Sequence, residues 1–301
     1  TNEMMNLTVA GSEGASNVSV QFDPHWTYAF TYSGGSWTCD DKFLLTLTFD
    51  GGNDEYLVRR ADGFLWVFHD SQATNAGKLK RIEDPYGNDW AFTYSSGKLT
   101  DIVVDVVAGT DHKITYSYFS GGDNDGLLQY VKVYKSTTTT DANFIGQIEH
   151  VYHSSTVDAY GLEDDLMKVI VTRKATADAD GTLSIEETTS YRYYKGAYDA
   201  STNPGTDHQV RYVLLPENRQ RLTDEVGAAD SQTNASWESY ANVFYKYDSS
   251  SRVSFTDERL PGGSCGCGAG GNAATTTYTW SVNGSNPDVD TWKVHLVADR
   301  E

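Results

Sequence analysis

The feature that most constrains the fold of this chain is a short internal repeat. Residues 77–82 (GKLKRI) recur 20 positions later as residues 97–102 (GKLTDI), and looser copies begin at Gly126 and Leu166. In each copy a Leu and a second aliphatic residue, three positions apart, enter a strand. A unit this short cannot bury its apolar face alone, so neighbouring units must stack. The repeat therefore predicts a series of consecutive β-hairpins.

A turn and a returning strand lie between the first two copies. Residues 84–88 (DPYGN) combine Pro, which fixes φ, with Gly, which accepts positive φ, and residues 90–94 (WAFTY) alternate between two faces. Similar runs bounded by Gly, Asp, Asn and Ser predict further strands along the chain. The predicted strands are residues 18–22, 26–32, 43–49, 55–60, 64–68, 90–94, 99–107, 113–119, 128–135, 147–152, 167–176, 183–194, 209–215, 243–247, 275–282 and 292–297. Residues 197–206 and 228–236 are predicted to be polar loops, and we find no convincing amphipathic helix.

The fold class predicted from these patterns is all-β, with consecutive antiparallel β-hairpin repeats forming a long twisted sheet, partial shell or solenoid. Three segments are expected. Residues 1–76 form an N-terminal β segment leading into the repeats, residues 77–262 form the repeat sheet with insertions, and residues 263–301 form a Gly- and Cys-rich linker with further strands. The sequence starts without Met and without a signal peptide, so we expect a processed product or a piece of a longer polypeptide.

The charge balance argues against nucleic acid as a partner. Asp and Glu number 42 against 23 Lys and Arg, which gives a formal net charge of −19. Neutralising phosphates requires a basic face, so we expect no nucleic-acid binding. No apolar run is long enough for a transmembrane helix, so no transmembrane segment is expected. The 20 Tyr residues favour a pleated, half-buried surface over disorder.

Residues 77–131 resemble the YD-repeat, or RHS-repeat, family, which is named for a Tyr-Asp dipeptide. The dipeptide itself occurs later, as Tyr247-Asp248 within residues 245–253 (YKYDSSSRV). Ser251 stands there in place of the usual Gly. Several Gly-x-Leu-x-x-Ile copies in series, separated by Asp-Pro-x-Gly-Asn and Tyr-x-Tyr, are a more specific signal than one copy alone.

The resemblance covers about residues 43–135 and 240–262, and the stretch between them departs from the pattern, which indicates insertions. It implies long β-sheets that spiral into shells or tubes on large secreted bacterial proteins and on teneurin-like adhesion proteins. An extracellular or cell-surface location follows as an expectation. Some members enclose a toxin and cleave themselves at a carboxy-terminal motif rich in Asp-Pro-x-Gly. Here residues 84–87 lie mid-chain without a partner block, so Asp84 is interpreted as a turn residue.

Residues 176–187 partly fit a calcium-binding loop. Such loops place oxygen ligands at positions 1, 3, 5 and 12, with Gly at position 6. Asp178, Asp180 and Glu187 fit this spacing, whereas the first position holds Thr and both flanks read as strands. The alternative is a simple hairpin turn at the same Asp-Gly dipeptide. Calcium is therefore the one cofactor that the sequence suggests.

Three cysteines, Cys39, Cys265 and Cys267, do not make a disulfide framework, because their number is small and odd. The Cys-Gly-Cys pair suits neither a zinc site nor a redox pair, since both usually separate the cysteines by two residues. The open alternatives are a strained local disulfide, a bond from one of the pair to Cys39, or a bond to another chain.

The sequence shows no nucleophile–base pair, no phosphate-binding Gly loop and no Gly-x-Ser-x-Gly turn. The leading hypothesis is a non-enzymatic extracellular structural scaffold, part of a larger surface protein or a filament, whose partners are other protein chains or the remainder of a longer polypeptide. The seven Trp residues suggest an alternative, a carbohydrate-binding adhesin module for cell-surface glycans, although a Trp on a strand usually packs into the core. A glycosidase-like enzyme with two carboxylates is the third alternative.

Overall fold

The computed structural model describes residues 5–12, 14–23, 26–39, 44–71, 73–105, 111–154, 159–174, 184–259, 273–282 and 292–300. Within these ranges the strands are β1 (Asn6–Val9), β2 (Val18–Asp23), β3 (Trp26–Ser33), β4 (Ser36–Cys39), β5 (Thr46–Asp50), β6 (Glu55–Arg59), β7 (Leu65–His69), β8 (Leu79–Glu83), β9 (Asp89–Ser95), β10 (Lys98–Asp105), β11 (His112–Tyr118), β12 (Leu128–Tyr134), β13 (Phe144–Tyr152), β14 (Leu166–Lys174), β15 (Ser184–Tyr193), β16 (Val210–Leu214), β17 (Val243–Tyr247), β18 (Val253–Arg259), β19 (Ala273–Val282) and β20 (Trp292–Arg300). The helices are α1 (Pro216–Glu225) and α2 (Asn234–Tyr240), with single 3-10 turns at Asp141–Asn143 and Ala229–Ser231. None of the helices in these ranges is long and apolar enough to cross a membrane.

The strands follow one another in chain order. β1 to β4 form a four-stranded sheet, and β5 to β20 form a 16-stranded order in which each strand neighbours those before and after it in sequence. The pairings within both sheets are antiparallel, as in β5–β6, β9–β10 and β14–β15. The predicted all-β fold of consecutive antiparallel hairpins is confirmed. The partial shell or solenoid stays a prediction.

The chain divides into two compact units, residues 1–117 with 131–146 and residues 118–130 with 147–301. In the first unit the four-stranded sheet packs against one face of β5 to β8. Their shared core consists of Leu7, Val18, Val20, Phe30, Leu47, Tyr56, Val58, Trp66, Phe68 and Leu79. Aromatic and β-branched side chains suit such a face because they pack well on a pleated surface.

The second unit has a different core, in which α1 and α2 cover part of the sheet around β15, β16 and β17. Its buried residues are Tyr194, Tyr212, Leu214, Leu222, Ala229, Trp237, Ala241 and Phe244. The Tyr212 and Phe244 rings stack with centroids 5.0 Å apart on neighbouring strands. Neither core bears on the three segments predicted from the sequence, residues 1–76, 77–262 and 263–301. Their boundaries stay predictions.

The two helices were not among the predicted elements, and the predicted loop at residues 228–236 contains a 3-10 turn and the start of α2. Pro216 lies in the first turn of α1, a position where its missing N–H costs nothing. Thr233 caps α2, and its hydroxyl accepts a hydrogen bond from the Ser236 N–H at 3.3 Å. α1 buries Leu222 and Asn218, and α2 buries Trp237. With so few buried positions, neither helix has the apolar stripe that marks an amphipathic helix in sequence.

A β-bulge explains the three-residue spacing of the repeat. The register of the paired strands skips Lys80, Thr100 and Ser254, each at the same position of a repeat copy. Side chains alternate along a regular strand, so residues three apart would face opposite sides. The extra residue restores a common face. Leu79 is accordingly buried, and Ile82 packs against the same core.

Candidate functional site

Four hairpins are closed by the same tyrosine hydrogen bond. In each, a Tyr at or next to the end of the returning strand donates its hydroxyl to the carbonyl of the first residue of the outgoing strand. The pairs are Tyr94 with Leu79 at 2.8 Å, Tyr152 with Leu128 at 3.1 Å, Tyr193 with Leu166 at 2.9 Å and Tyr247 with Val210 at 2.9 Å. Burial raises the pKa of Tyr94 and of Tyr247 to about 12, so both hydroxyls stay protonated donors at neutral pH.

Two hairpin turns share one aspartate-centred geometry. The Asp84 carboxylate accepts hydrogen bonds from the backbone N–H groups two and four residues later, at 2.8 and 2.9 Å, and from the Asn88 side chain at 2.7 Å. Asp248 of the Tyr-Asp dipeptide makes the same set at 2.9, 3.0 and 2.7 Å, with Arg252 in place of Asn88. The prediction that Asp84 is a turn residue is confirmed, and the Asp of the dipeptide has the same role.

Ser251 occupies the position in the Asp248 turn that Gly87 occupies in the Asp84 turn. Its φ is +62°, in the left-handed region, and the equivalent Gly87 has φ +87°. The left-handed region disfavours most L residues, so Gly is the usual choice there. The Ser251 N–H donates to the carbonyl of Asp248 at 3.0 Å, and this bond helps to hold the strained conformation.

A small pocket lies in the second unit, between the sheet and residues 216–240, which carry α1 and α2 and are called the helical segment below. Its volume is about 30 Å³, and its polar and aromatic lining includes His153, Tyr160, Ser190, Arg192, Asp230 and Trp237. A volume of this size accommodates roughly one water molecule and is too small for a sugar ring. The pocket therefore gives no support to carbohydrate binding at this place.

Arg192 is the central group of the pocket. Its side chain is buried, and its guanidinium lies 3.5 Å from the ring centre of Tyr160 and 4.1 Å from that of Trp237. It donates hydrogen bonds to the carbonyl of Gln232 at 2.5 Å and to the side-chain oxygen of Asn234 at 3.1 Å. A planar guanidinium can stack on two rings while donating at its rim. Arg192 therefore anchors the start of α2 to β15.

Two further polar side chains at the pocket, Asp230 and Ser190, are held by ion pairs and hydrogen bonds. Asp230 accepts from Lys168 at 2.5 Å and from Arg219 at 2.9 Å. The Ser190 hydroxyl accepts from the Nε of Arg219 at 2.9 Å. These contacts fasten the helical segment to the sheet.

The calcium candidate is only partly within the described residues. Asp178 and Asp180 lie outside them. Glu187 lies on β15, and its carboxylate is 3.2 Å from the guanidinium of Arg173 on the neighbouring strand. Among the residues that the structure describes, no group of three or more His, Cys, Asp or Glu side chains could hold a metal ion. The calcium site stays a prediction.

The disulfide alternatives stay open. Cys39 lies half-buried at the end of β4, and its side chain packs against the core of the first unit. Cys265 and Cys267 lie outside the described residues.

The tryptophans divide between core and surface. Trp66 and Trp237 are buried, as predicted for Trp on or near a sheet. Trp26 is 55% exposed, so the prediction of core packing is wrong there. The side chains of Trp280 and Trp292 lie outside the described residues.

Comparison with known proteins adds little. No family model matches the sequence, and no curated protein matches it. Among solved structures, a porin-like protein from Bacteroides uniformis aligns with 98% of this chain and 95% of its own, at 9% identity and a TM-score of 0.26. A similarity this low carries no argument about fold or function.

Proposed function

We propose that this chain is a non-enzymatic extracellular scaffold of YD-repeat type that joins other protein chains. The observation that supports the proposal is the recurrence of one hairpin closure, Tyr hydroxyl to first carbonyl, in β8–β9, β12–β13, β14–β15 and β16–β17. A fold built from one repeated unit grows by adding units and offers an extended surface, which suits a scaffold.

The ends of the strand order supply the joining surface in this proposal. β5 and β20 end the order, and among the described strands each has a sheet neighbour on one side only. An open strand edge offers unpaired N–H and C=O groups to another chain. β5 (TLTFD) contains neither Lys nor Pro, the residues that commonly protect an edge. Pairing through β5 would therefore link one chain to the next.

Light scattering during size-exclusion chromatography tests this joining surface. We expect a molar mass that rises with protein concentration. Thr48→Lys places a charge at an exposed position of β5 and should shift the protein towards the monomer. Thr93→Lys adds the same charge at an exposed position of β9, which has neighbours on both sides, and serves as the matched control. Equal behaviour of the two variants would contradict pairing through β5.

A carbohydrate-binding adhesin is the second candidate. Trp26 and Tyr86 are 55% and 84% exposed, and exposed aromatic rings can stack on sugars. Tyr86 lies in the turn centred on Asp84, whose carboxylate accepts a hydrogen bond from the Tyr86 N–H. A glycan array with the native chain and with Tyr86→Ser tests this candidate. Binding that is lost in the variant would favour it, and silence across the array would eliminate it.

A further inference from the structure

An aspartate and a histidine join two loops that are far apart in sequence. Asp165 directly precedes β14, and His208 lies two residues before β16, so the end of β15 runs between them. The Nδ1 atom of His208 lies 2.9 Å from an Oδ atom of Asp165. The contact thus ties residues 195–209, which lead into β16, to residues 159–165, which lead into β14.

Asp165 is the buried member of the pair. Its side chain is 7% exposed, and its second Oδ atom accepts a hydrogen bond from the Leu162 N–H at 2.8 Å. Its backbone carbonyl accepts from the His153 N–H at 2.8 Å. A buried carboxylate requires partners, and a protonated imidazole is a stronger partner than a neutral one.

His208 is the exposed member and is held in an uncommon conformation. Its side chain is 61% exposed, so the ring is accessible to protons from solvent. Its φ is +65°, in the left-handed region that few residues other than Gly adopt. A residue in that region stays there only while surrounding contacts hold it. Weakening the contact with Asp165 would therefore let the backbone at His208 relax.

The same loop is tied on its other side by bonds that do not titrate near neutral pH. The carbonyl of Pro204 accepts from the Tyr247 N–H at 2.8 Å, and the Gln209 side chain donates to the carbonyl of Ser251 at 3.3 Å. These bonds run to the end of β17 and the turn that follows it. The contact of His208 with Asp165 runs the opposite way, towards β14.

We propose that Asp165 and His208 form a pH-sensitive clamp, which fastens the loop before β16 to the loop before β14 in mildly acidic solution and loosens as the pH rises. The charged groups that face His208 are Asp165, Asp164 and Asp207, and all three favour the protonated ring. Tyr193, at the end of β15, interacts with Asp165 and keeps its hydroxyl proton in this range, because burial first and then Asp165 raise its pKa.

The direction of the effect follows from linkage. The hydrogen bond with Asp165 raises the pKa of His208 above its ordinary value of 6.5, against a smaller opposing effect of burial. A group whose pKa is raised by folding stabilises the folded state fully below its ordinary pKa, and this contribution is lost as the pH rises through the raised value. The clamp therefore tightens towards acid and weakens as the pH rises through the raised pKa of His208.

Hydrogen exchange of the full chain tests the clamp. After correction for intrinsic rates, the amides of residues 195–209 should be better protected at about pH 5.5 than at about pH 8, by up to about tenfold. His208→Gln should abolish this difference. His112→Gln changes a histidine of the first unit and should keep it. A difference that persists unchanged in His208→Gln would overturn the proposal.

A histidine titration by NMR provides the second test, because it reads the pair itself. In the native chain His208 should titrate above 6.5. In Asp165→Asn its pKa should fall towards that ordinary value, because the main cause of the shift is removed. If Asp165→Asn does not fold, Asp207→Asn keeps the clamp and should lower the pKa of His208 only slightly. A native His208 that titrates at its ordinary value would also overturn the proposal.

Discussion

The hydroxyl of Tyr247 donates a hydrogen bond to the backbone carbonyl of Val210, 2.9 Å away, and joins the last residue of β17 to the first residue of β16. Three other hairpins are closed in the same way. The Tyr of the Tyr-Asp dipeptide therefore closes its own hairpin, and the Asp that follows it shapes the next turn.

Removing this hydroxyl should destabilise the protein. We expect Tyr247→Phe to lower the free energy of unfolding by roughly 0.5–1.5 kcal/mol, because the ring remains while the hydrogen bond is lost. Tyr86→Phe removes a hydroxyl from a side chain that is 84% exposed and should change little. Urea unfolding followed by Trp fluorescence measures both. Equal urea midpoints for the two variants would contradict a stabilising role for the hydrogen bond of Tyr247.

The two glycines that start the closest repeat copies should differ in their tolerance of Ala. Both have positive φ, +69° at Gly77 and +77° at Gly97, so either variant incurs strain of roughly 1–2 kcal/mol. A Cβ at Gly77 would also lie 1.9 Å from the carbonyl oxygen of Leu7, whereas at Gly97 the nearest atom is the end of the flexible Lys78 side chain at 3.4 Å.

Gly77→Ala should therefore destabilise the protein clearly more than Gly97→Ala does. It should also release β1, since the Leu7 N–H donates to the carbonyl of Gly77 at 2.7 Å. Thermal unfolding compares the two variants, and hydrogen exchange at Leu7 reports on β1. Unchanged protection of the Leu7 amide in Gly77→Ala would show that β1 binds without the close approach of Leu7 to Gly77.

Replacing the stacked guanidinium should loosen the helical segment. Lys cannot stack on two rings and donate at its rim as Arg192 does, so Arg192→Lys should cost about 2 kcal/mol. Arg221→Lys changes a more exposed arginine on α1, which lies 3.7 Å from Glu225, and should cost much less. Hydrogen exchange in α2 measures the effect. Equal protection of the α2 amides in the two variants would contradict the anchoring role of Arg192.

Acid should weaken the turn that is centred on Asp84. The hydrogen bond from the Asn88 side chain, together with weaker backbone hydrogen bonds, lowers the pKa of Asp84 below its ordinary value of 3.8. A lowered pKa means that the contribution is present above 3.8 and is lost as the pH falls through the lower value. Asp84→Asn should therefore reduce the acid sensitivity of the melting temperature, whereas the control Asp224→Asn on α1 should not. The same slope in both variants would contradict this assignment.

The sequence predicted the strands and turns whose signals lie close together along the chain. Each of the predicted strands overlaps a strand of the structure, because turn residues and two-residue alternation are local signals. β1, β4 and β18 were not predicted. β1 and β4 have only four residues each and lack a distinct apolar run. The bulge was visible only as a three-residue spacing, and its meaning required the register of the partner strand.

The candidate site was harder to predict because its contacts are distant in sequence. Two of the four closing tyrosines, Tyr193 and Tyr247, end a Tyr-x-Tyr pattern, but the acceptor carbonyls of the four lie between 15 and 37 residues away. Arg192 binds a residue 42 positions away. No local pattern specifies such partners without the topology. The helices were missed for a related reason, since their stability comes from contact with the sheet rather than from an apolar stripe.

Electron microscopy of the purified chain over a range of concentrations tests whether these repeated hairpins form a scaffold that joins other chains through its strand edges. We expect ordered oligomers or filaments that become more frequent with concentration and that are reduced by Thr48→Lys. Isolated particles of single-chain size at every concentration, unchanged by the variant, would contradict it.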